Sequence, residues 1–273
     1  MPQLGHSIGF IGAGVMAEAL ISGMVQSEMV NAKDIYVSDP DTERLLMLEE
    51  QKGINKVTSN KELLNFADVL ILAVKPQVVG EVLTEIKPSI DKNHWFITFA
   101  AGIPTSYIEN ILGEVPVVRV MTNTACLVSE GASALAGGRY ALKEHKDACE
   151  TIFSSVGNVV TVKEDLLNAV TGLSGSGPAY MYVILEALID AGVRVGLPRK
   201  TATELTVQTM MGAAKMAQDT GEHPGRLKDM VTTPGGTTAA GMYQLEDGGL
   251  RVTLMNAVMA AAEQSKQMSE RLK

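Results

Sequence analysis

Apolar residues fall along this chain in two rhythms, and the rhythm changes near Val162. Before that point, short apolar runs alternate with stretches whose apolar positions recur every three or four residues. That pattern predicts strands alternating with amphipathic helices. Ser7-Ile8-Gly9-Phe10-Ile11 reads as a buried strand, and Val15 to Ser27 as a helix with Met16, Ala19, Leu20, Gly23 and Met24 on one face. Ile35-Tyr36-Val37 predicts a second strand, followed by a helix from Thr42 to about Gln51. Val69-Leu70-Ile71-Leu72-Ala73, Trp95-Phe96-Ile97-Thr98-Phe99 and Val117-Val118-Arg119-Val120-Met121 predict three more strands. Shorter candidates lie at Lys56-Val57-Thr58, Ala132-Ser133-Ala134-Leu135 and Asn158-Val159-Val160-Thr161. Alternation of this kind builds a mainly parallel, doubly wound α/β sheet with helices on both faces.

After Val162 the strand runs stop. Glu164 to Leu173 reads as helical, Ser174-Gly175-Ser176-Gly177 as a break, and Pro178 as the first position of a long helix reaching Val193. That helix is apolar nearly all round, with Ala179, Tyr182, Val183, Leu185 and Ile189 spread over its faces. Such a helix must be buried, and in a region this small burial calls for a partner subunit. Further helices are expected from Pro198 to about Asp219, just after Thr238, and from Gly249 to Lys273. There is no internal repeat and no flexible linker, so two closely joined domains are expected, 1–162 and 163–273.

Composition adds limits. Hydrophobic residues are 46% and charged residues 20%, an ordinary globular balance, while aromatics are only 4% beside 26 Gly and 15 Met. The core therefore rests on aliphatic and small side chains. The net charge is −8 and the Lys and Arg residues are scattered, which argues against nucleic-acid or anionic-membrane partners. Cys126 and Cys149 are too few for a disulfide framework or a metal set and read as small buried hydrophobes. No apolar run has the length of a membrane span. The first apolar stretch is broken by glycines and follows no basic segment, so a cytoplasmic location is expected.

The candidate chemistry begins at Gly12-Ala13-Gly14-Val15-Met16-Ala17, which fits G-x-G-x-x-A after a strand and at the start of a helix. The first glycine permits a tight turn, the second lets backbone approach a pyrophosphate, and Ala17 keeps helix and strand close, so residues 1–162 read as a Rossmann-like domain. Asp39, at the end of the second strand, is placed to bind a ribose 2′-hydroxyl and repel a 2′-phosphate, which favours NADH. Ser38 and Thr42 are equally able to bind a phosphate and Arg44 lies one turn on, so NADPH or NADH stays open; Asp39 also suits a plain turn before Pro40. Ala73-Val74-Lys75-Pro76 and Ala100-Ala101-Gly102 follow strong strands, where ligands of such sheets sit, and are expected to line the nicotinamide half. Lys75 is a candidate for positioning the cofactor or an acidic substrate, or a solvated lysine. Met121-Thr122-Asn123-Thr124 closes the next strand in the same manner.

None of the histidines, His6, His94, His145 and His223, stands beside an acid in a general-base pattern, and most are expected at the surface. That weakens a hydroxyacid dehydrogenase, whose carbonyl chemistry wants a strong acid–base group. No metal-ligand spacing occurs. Reduction of an imine suits the chain better, because the nitrogen takes up a proton readily and the iminium accepts hydride. A place for a small anion exists at Thr232-Thr233-Pro234-Gly235-Gly236-Thr237-Thr238, where glycines and hydroxyls precede a helix start with unpaired N–H groups. The same geometry also serves an ordinary capped helix. Another imine reductase or β-hydroxyacid dehydrogenase on this scaffold would present a lysine after the boundary, where this chain has Asn168 and Ser174. The intact glycines, Lys75 and the hydroxyl-rich loop argue against a non-catalytic nucleotide-binding oligomer.

These motifs, together with Thr171-Gly172-Leu173-Ser174-Gly175-Ser176-Gly177-Pro178-Ala179-Tyr180 and Leu227-Lys228-Asp229-Met230-Val231 leading into Thr232–Thr238, strongly resemble the pyrroline-5-carboxylate reductase family over essentially the whole chain. The resemblance implies hydride transfer from NADPH or NADH to the ring imine carbon of 1-pyrroline-5-carboxylate, giving L-proline. It implies a helical domain that interlocks with a second subunit, an active site at the dimer interface, and dimers that often assemble as a ring of five, a decamer. It implies that Thr238 bonds the ring nitrogen, either supplying or relaying its proton or only holding the ring in place. The N–H groups of Gly236 and Thr237 and the Thr233 hydroxyl would hold the carboxylate, with Val231 beside them. By the same resemblance Glu164 stands near the substrate, and Asn60 joins Gly12, Ala13, Gly14, Val15, Met16, Ser38, Asp39, Ala73, Val74, Lys75, Pro76, Ala100 and Ala101 at the cofactor. Two positions depart from the family. Ala125 stands where Pro is frequent, and Asp39-Pro40 where NADP-preferring members often carry Asn or Ser and then Arg, which weighs against a strong NADPH preference.

Overall fold

A computed structural model describes residues 5–271. The first half alternates as the pattern requires: β1 (Ile8–Ile11), α1 (Val15–Gln26), β2 (Ile35–Ser38), α2 (Thr42–Lys52), β3 (Asn55–Lys56), α3 (Asn60–Leu63), β4 (Val69–Leu72), α4 (Val79–Ile86), β5 (Trp95–Thr98), α5 (Thr105–Leu112), β6 (Val117–Met121), β7 (Gly131–Gly137), α6 (Lys143–Ser154) and β8 (Gly157–Thr161). Two of the three short strand candidates appear as β7 and β8, while the first, at Lys56–Thr58, shares only Lys56 with the two-residue β3.

The strands form one eight-stranded sheet ordered β3-β2-β1-β4-β5-β6-β7-β8. Every neighbouring pair is parallel except β6 and β7. The direction of the strand order reverses between β1 and β4, the point at which an open α/β sheet leaves a crevice for a ligand. Side chains alternate across the sheet. Ile8, Phe10, Val69 and Ile71 pack with Leu20 and Met24 of α1 and Phe153 of α6. Leu70, Leu72 and Phe96 pack on the other face with Leu63 of α3, Leu83 of α4 and Ile108 of α5. All of these are fully buried, each stabilising the fold by about 1.5–3 kcal/mol before entropy is counted. The ends of α2 are set locally: the Asp41 carboxylate accepts from the Arg44 N–H, and Gly53 leaves the helix at φ 72°. Cys126 and Cys149 are buried free thiols, and burial pushes the Cys149 thiol well above its ordinary value.

Beyond β8 the chain is helical: a 3₁₀ turn Glu164–Leu166, α7 (Leu167–Val170), a π-helical turn Thr171–Gly175, then α8 (Gly177–Arg194), α9 (Arg199–Thr220), α10 (Pro224–Met230), α11 (Thr237–Asp247) and α12 (Leu250–Glu270). Contacts divide the chain into two compact units, one running up to Ser176 and taking in the segment from Met259 on, the other Gly177–Val258.

The structure refines three of these readings. The break at Ser174–Gly177 is narrow: only Ser176 stands outside helical geometry. Its first residues continue a helix by widening to π geometry, closed by the Ser176 N–H donating to the Thr171 carbonyl at 2.8 Å. The helix α10 is additional, started by Pro224 and by His223, whose Nδ1 accepts from the Gly225 N–H. And α8 is exposed within the protomer, as expected of a helix whose burial calls for a partner subunit: Tyr182 is 64% and Val183 66% exposed. The end expected for the last helix, Leu272 and Lys273, lies outside the described residues.

Candidate active site

The glycine turn after β1 has the geometry its sequence asks for. Gly12 has φ 104°, and a Cβ there would stand 2.8 Å from the Ala73 carbonyl oxygen. Glycine is required both for the left-handed backbone and for this close approach. The Gly12 N–H donates to the Ser38 carbonyl and the Ala73 N–H to the Ile11 carbonyl, both at 2.8 Å. The carboxyl ends of β1, β2 and β4 are thereby tied together. Gly14 is the N-cap of α1 with no side-chain cap, and no atom lies within 4 Å of where its Cβ would be. An uncapped twelve-residue helix with open space at its start suits a pyrophosphate. Val15 is exposed and Met16 half-buried beside it.

Asp39 follows Ser38 at the end of β2. Its Oδ2 accepts from the Ala13 N–H at 2.7 Å and its Oδ1 from the Asp41 N–H at 2.8 Å. Turn-former and cofactor-side acid are thus one arrangement: the carboxylate closes the Asp-Pro-Asp turn and braces the glycine loop. Arg44 is committed elsewhere. Its Nε donates to the Ala13 carbonyl at 2.9 Å and its guanidinium pairs with Glu18 of α1.

Because β1 to β5 run parallel, Ala73, Val74, Lys75, Pro76, Ala100 and Ala101 all lie at the carboxyl edge that carries the glycine turn. Lys75 is exposed and precedes a 3₁₀ turn begun by Pro76. Asn60 opens α3, and its Nδ2 donates to Glu85 Oε2 at 2.8 Å.

The Glu164 carboxylate has three partners within its own unit. Oε1 and Oε2 accept from the N–H and hydroxyl of Thr105 at 2.8 and 2.7 Å, and Arg119 Nη1 stands 3.4 Å away. Arg119 lies in β6, 3% exposed, and its Nη2 has no partner among the described residues. Burial lowers its pKa, and the nearby Glu164 charge works in the opposite direction. An arginine inside the apolar run Val117–Met121 is itself the signal of a buried charge that needs a carboxylate.

In the other unit, Thr233–Thr238 forms the turn into α11. Gly235 has φ 67°, the Gly236 N–H donates to the Thr233 carbonyl at 3.0 Å, and Gly236 is an N-cap with no side-chain bond. A Cβ at Gly236 would stand 2.3 Å from Thr233 Oγ1. The hydroxyl of Thr232 is used up on the Lys228 carbonyl at 2.8 Å. Val231, Thr233 and Thr237 are exposed and Thr238 half-buried. The first-turn N–H groups of α11, those of Thr237 and Thr238 among them, have no intrahelical acceptor, as at any helix start. Of the histidines, His94 is buried: its Nε2 lies 3.0 Å from the Leu64 carbonyl and its Nδ1 accepts from the Asp91 N–H. No group of three or more potential metal ligands occurs among the described residues.

Residues 164–268 match the family model described as pyrroline-5-carboxylate reductase dimerisation, and residues 7–102 the one described as NADP oxidoreductase coenzyme F420-dependent. A pyrroline-5-carboxylate reductase of Methanosarcina acetivorans is 47% identical, covering 97% of this chain and 99% of its own. That of Arabidopsis thaliana is 43% identical, covering 99% and 98%. Among solved structures, a pyrroline-5-carboxylate reductase from Coxiella burnetii is similar with TM-score 0.93 at 36% identity, covering 97% of this chain and 98% of that one. The Plasmodium falciparum pyrroline carboxylate reductase with NADP bound is similar with TM-score 0.87 at 34% identity, covering 98% and 100%.

Proposed function

This chain belongs to the pyrroline-5-carboxylate reductase family and reduces 1-pyrroline-5-carboxylate to proline with a nicotinamide cofactor, the last step of proline biosynthesis, and from that premise we propose how its residues divide the work. The cofactor supplies the hydride. Gly12 to Met16 receive its pyrophosphate at the start of α1, Ser38 and Asp39 meet the adenosine ribose, and Asn60 adds a ribose contact. Ala73 to Pro76 with Ala100 and Ala101 line the nicotinamide half. The observation that carries this assignment is the convergence of all these loops on one sheet edge around an uncapped α1.

The substrate carboxylate rests on the N–H groups of Gly236 and Thr237 and on the Thr233 hydroxyl, with Val231 at its side. Thr238 bonds the ring nitrogen and holds the ring in place, and any proton it passes to the nitrogen is replaced from solvent. A helix start contributes only about 0.3–1 kcal/mol to an anion, up to about 2 if partly buried, so the loop orients more than it accelerates. The larger share comes from holding the imine against the nicotinamide, worth up to about 7–11 kcal/mol in good geometry. Glu164 enters near the substrate by fixing Thr105, the residue that ends the Ala100–Pro104 loop.

NADH serves at least as well as NADPH. Asp39 presents a carboxylate where a 2′-phosphate would need a cation, and the one arginine nearby, Arg44, is engaged with Glu18 and the Ala13 carbonyl. The functional boundary lies between residues 162 and 163, the helical part carrying the family's dimerisation region. Exposed apolar residues on α8, α9, α11 and α12, such as Tyr182, Met211, Tyr243 and Met255, support dimers whose interface completes the site, and five dimers form a ring. The enzyme works in the cytoplasm without nucleic-acid or membrane partners. The scattered basic residues support this, and no described helix is long and apolar enough to cross a membrane. Initial rates with pyrroline-5-carboxylate at matched NADH and NADPH test the cofactor reading. Wild type should favour NADH or show no preference, and Asp39→Ser should shift the ratio toward NADPH; a wild type far faster with NADPH overturns it.

A further inference from the structure

Asn123 stands two residues past the end of β6 and uses both ends of its amide. Its Oδ1 accepts from the Ala125 N–H at 3.1 Å and from the Ala132 N–H at 3.4 Å. Its Nδ2 donates to the Ser174 carbonyl at 3.0 Å, across 51 positions of sequence. The two N–H donors on one side and the carbonyl on the other fix which end is oxygen. Only an amide offers donor and acceptor together at this reach, so neither aspartate nor serine replaces it.

The Ser174 carbonyl has a reason to need this donor. It sits in the π-helical turn Thr171–Gly175, and the residue four positions on is Pro178, which has no N–H to give. Proline withholds a helix bond and asparagine replaces it. Gly175 lets the turn come close: a Cβ there would stand 3.3 Å from Met121 Sδ, at the tip of β6. Two motifs distant in sequence, Met-Thr-Asn-Thr and Ser-Gly-Ser-Gly-Pro, thus meet as one joint.

We infer that Asn123 is a positioning residue for hydride transfer, acting through the Ser174 carbonyl. It fixes the π turn, from which the chain leaves for its helical region, onto the sheet edge where the nicotinamide is held. The inference rests on the proposed placement of the nicotinamide at that edge.

The test is a set of variants of the full-length enzyme. Asn123→Asp keeps the acceptor and deletes the donor. Its kcat should fall about tenfold, with the KM for NADH changed less, and the isotope effect with deuterated NADH should rise as hydride transfer becomes limiting. Adding Pro178→Ala to Asn123→Ala gives the Ser174 carbonyl a backbone donor, so the double variant should lose less kcat than the two single losses combined. Asn123→Asp with wild-type kcat and isotope effect overturns the inference, as does a loss confined to thermal stability. Strict additivity of Asn123→Ala and Pro178→Ala overturns the route through Ser174. Failure of the site assignment itself is distinguishable: Thr238→Ala would then keep wild-type turnover, whatever the Asn123 variants do.

Discussion

Glu164 closes on Thr105 with both carboxylate oxygens, taking its backbone N–H at 2.8 Å and its hydroxyl at 2.7 Å. The carboxylate that starts the helical half therefore caps α5, the helix that follows the Ala100–Pro104 loop. Arg119, buried beneath it, shares the same carboxylate. Removing Glu164 strands that guanidinium. Glu164→Ala should cost about 3 kcal/mol of stability, the lower part of the range for breaking a buried pair, because the Glu164 side chain is 28% exposed. Arg119→Met in the same background should recover part of the loss. Denaturant midpoints at one fixed protein concentration check both.

Thr238→Ala should lower kcat about 10²-fold, the scale for losing one hydrogen-bonding or proton-donating group at a reacting centre, while the dissociation constant for NADH stays the same. Thr238→Ser should retain most of the activity. Steady-state rates with a fluorescence titration of bound cofactor separate the two effects.

Gly236→Ala should raise the KM for pyrroline-5-carboxylate about tenfold and leave cofactor binding intact. The new methyl would stand 2.3 Å from Thr233 Oγ1, so the hydroxyl and the helix start cannot both keep their places. Unchanged KM would remove this turn from substrate binding.

Glu18→Gln should raise kcat/KM for NADPH about fivefold relative to NADH, by freeing Arg44 from its ion pair near the adenosine ribose. Combined with Asp39→Ser the shift should grow. Matched initial rates with the two cofactors measure it.

His145 gives a pH signature in stability. Burial lowers its pKa, and its Nδ1 accepts from the Leu142 N–H, a bond only the unprotonated nitrogen can make. The folded chain then binds fewer protons than the unfolded chain, so stability falls as pH drops from the ordinary histidine value, about 6.5, toward the lower folded value. His145→Gln should flatten that slope in denaturation series across the acid side of neutrality.

The middle of the sheet was legible because β1, β4, β5 and β6 are buried along their whole length and read as apolar runs. The glycine turn and the substrate turn were legible for a related reason: Gly12 needs backbone and space that only glycine supplies, and Gly235 takes a left-handed backbone that favours glycine. What stayed hidden were features set by distant partners. Nothing local to Val117–Met121 says that Arg119 reaches Glu164, nor that Asp39 braces Ala13 while Arg44 is drawn to Glu18. The π geometry at Thr171–Gly175 stayed hidden as well: the sequence marks a break at Ser174–Gly177, but not that Asn123 and Met121 hold a wider turn just before it. Helix α10 escaped because seven residues give too little periodicity to notice.

Within Gly177–Val258 only one side chain, Ala202, is buried. Those helices have faces but no inside until a second copy arrives. Refolding of this half is then a meeting of two chains and not a collapse of one, so active enzyme should emerge after dilution from denaturant with second-order kinetics. With α8 on the proposed dimer interface, a substitution on it is also never single, because each dimer would carry it twice.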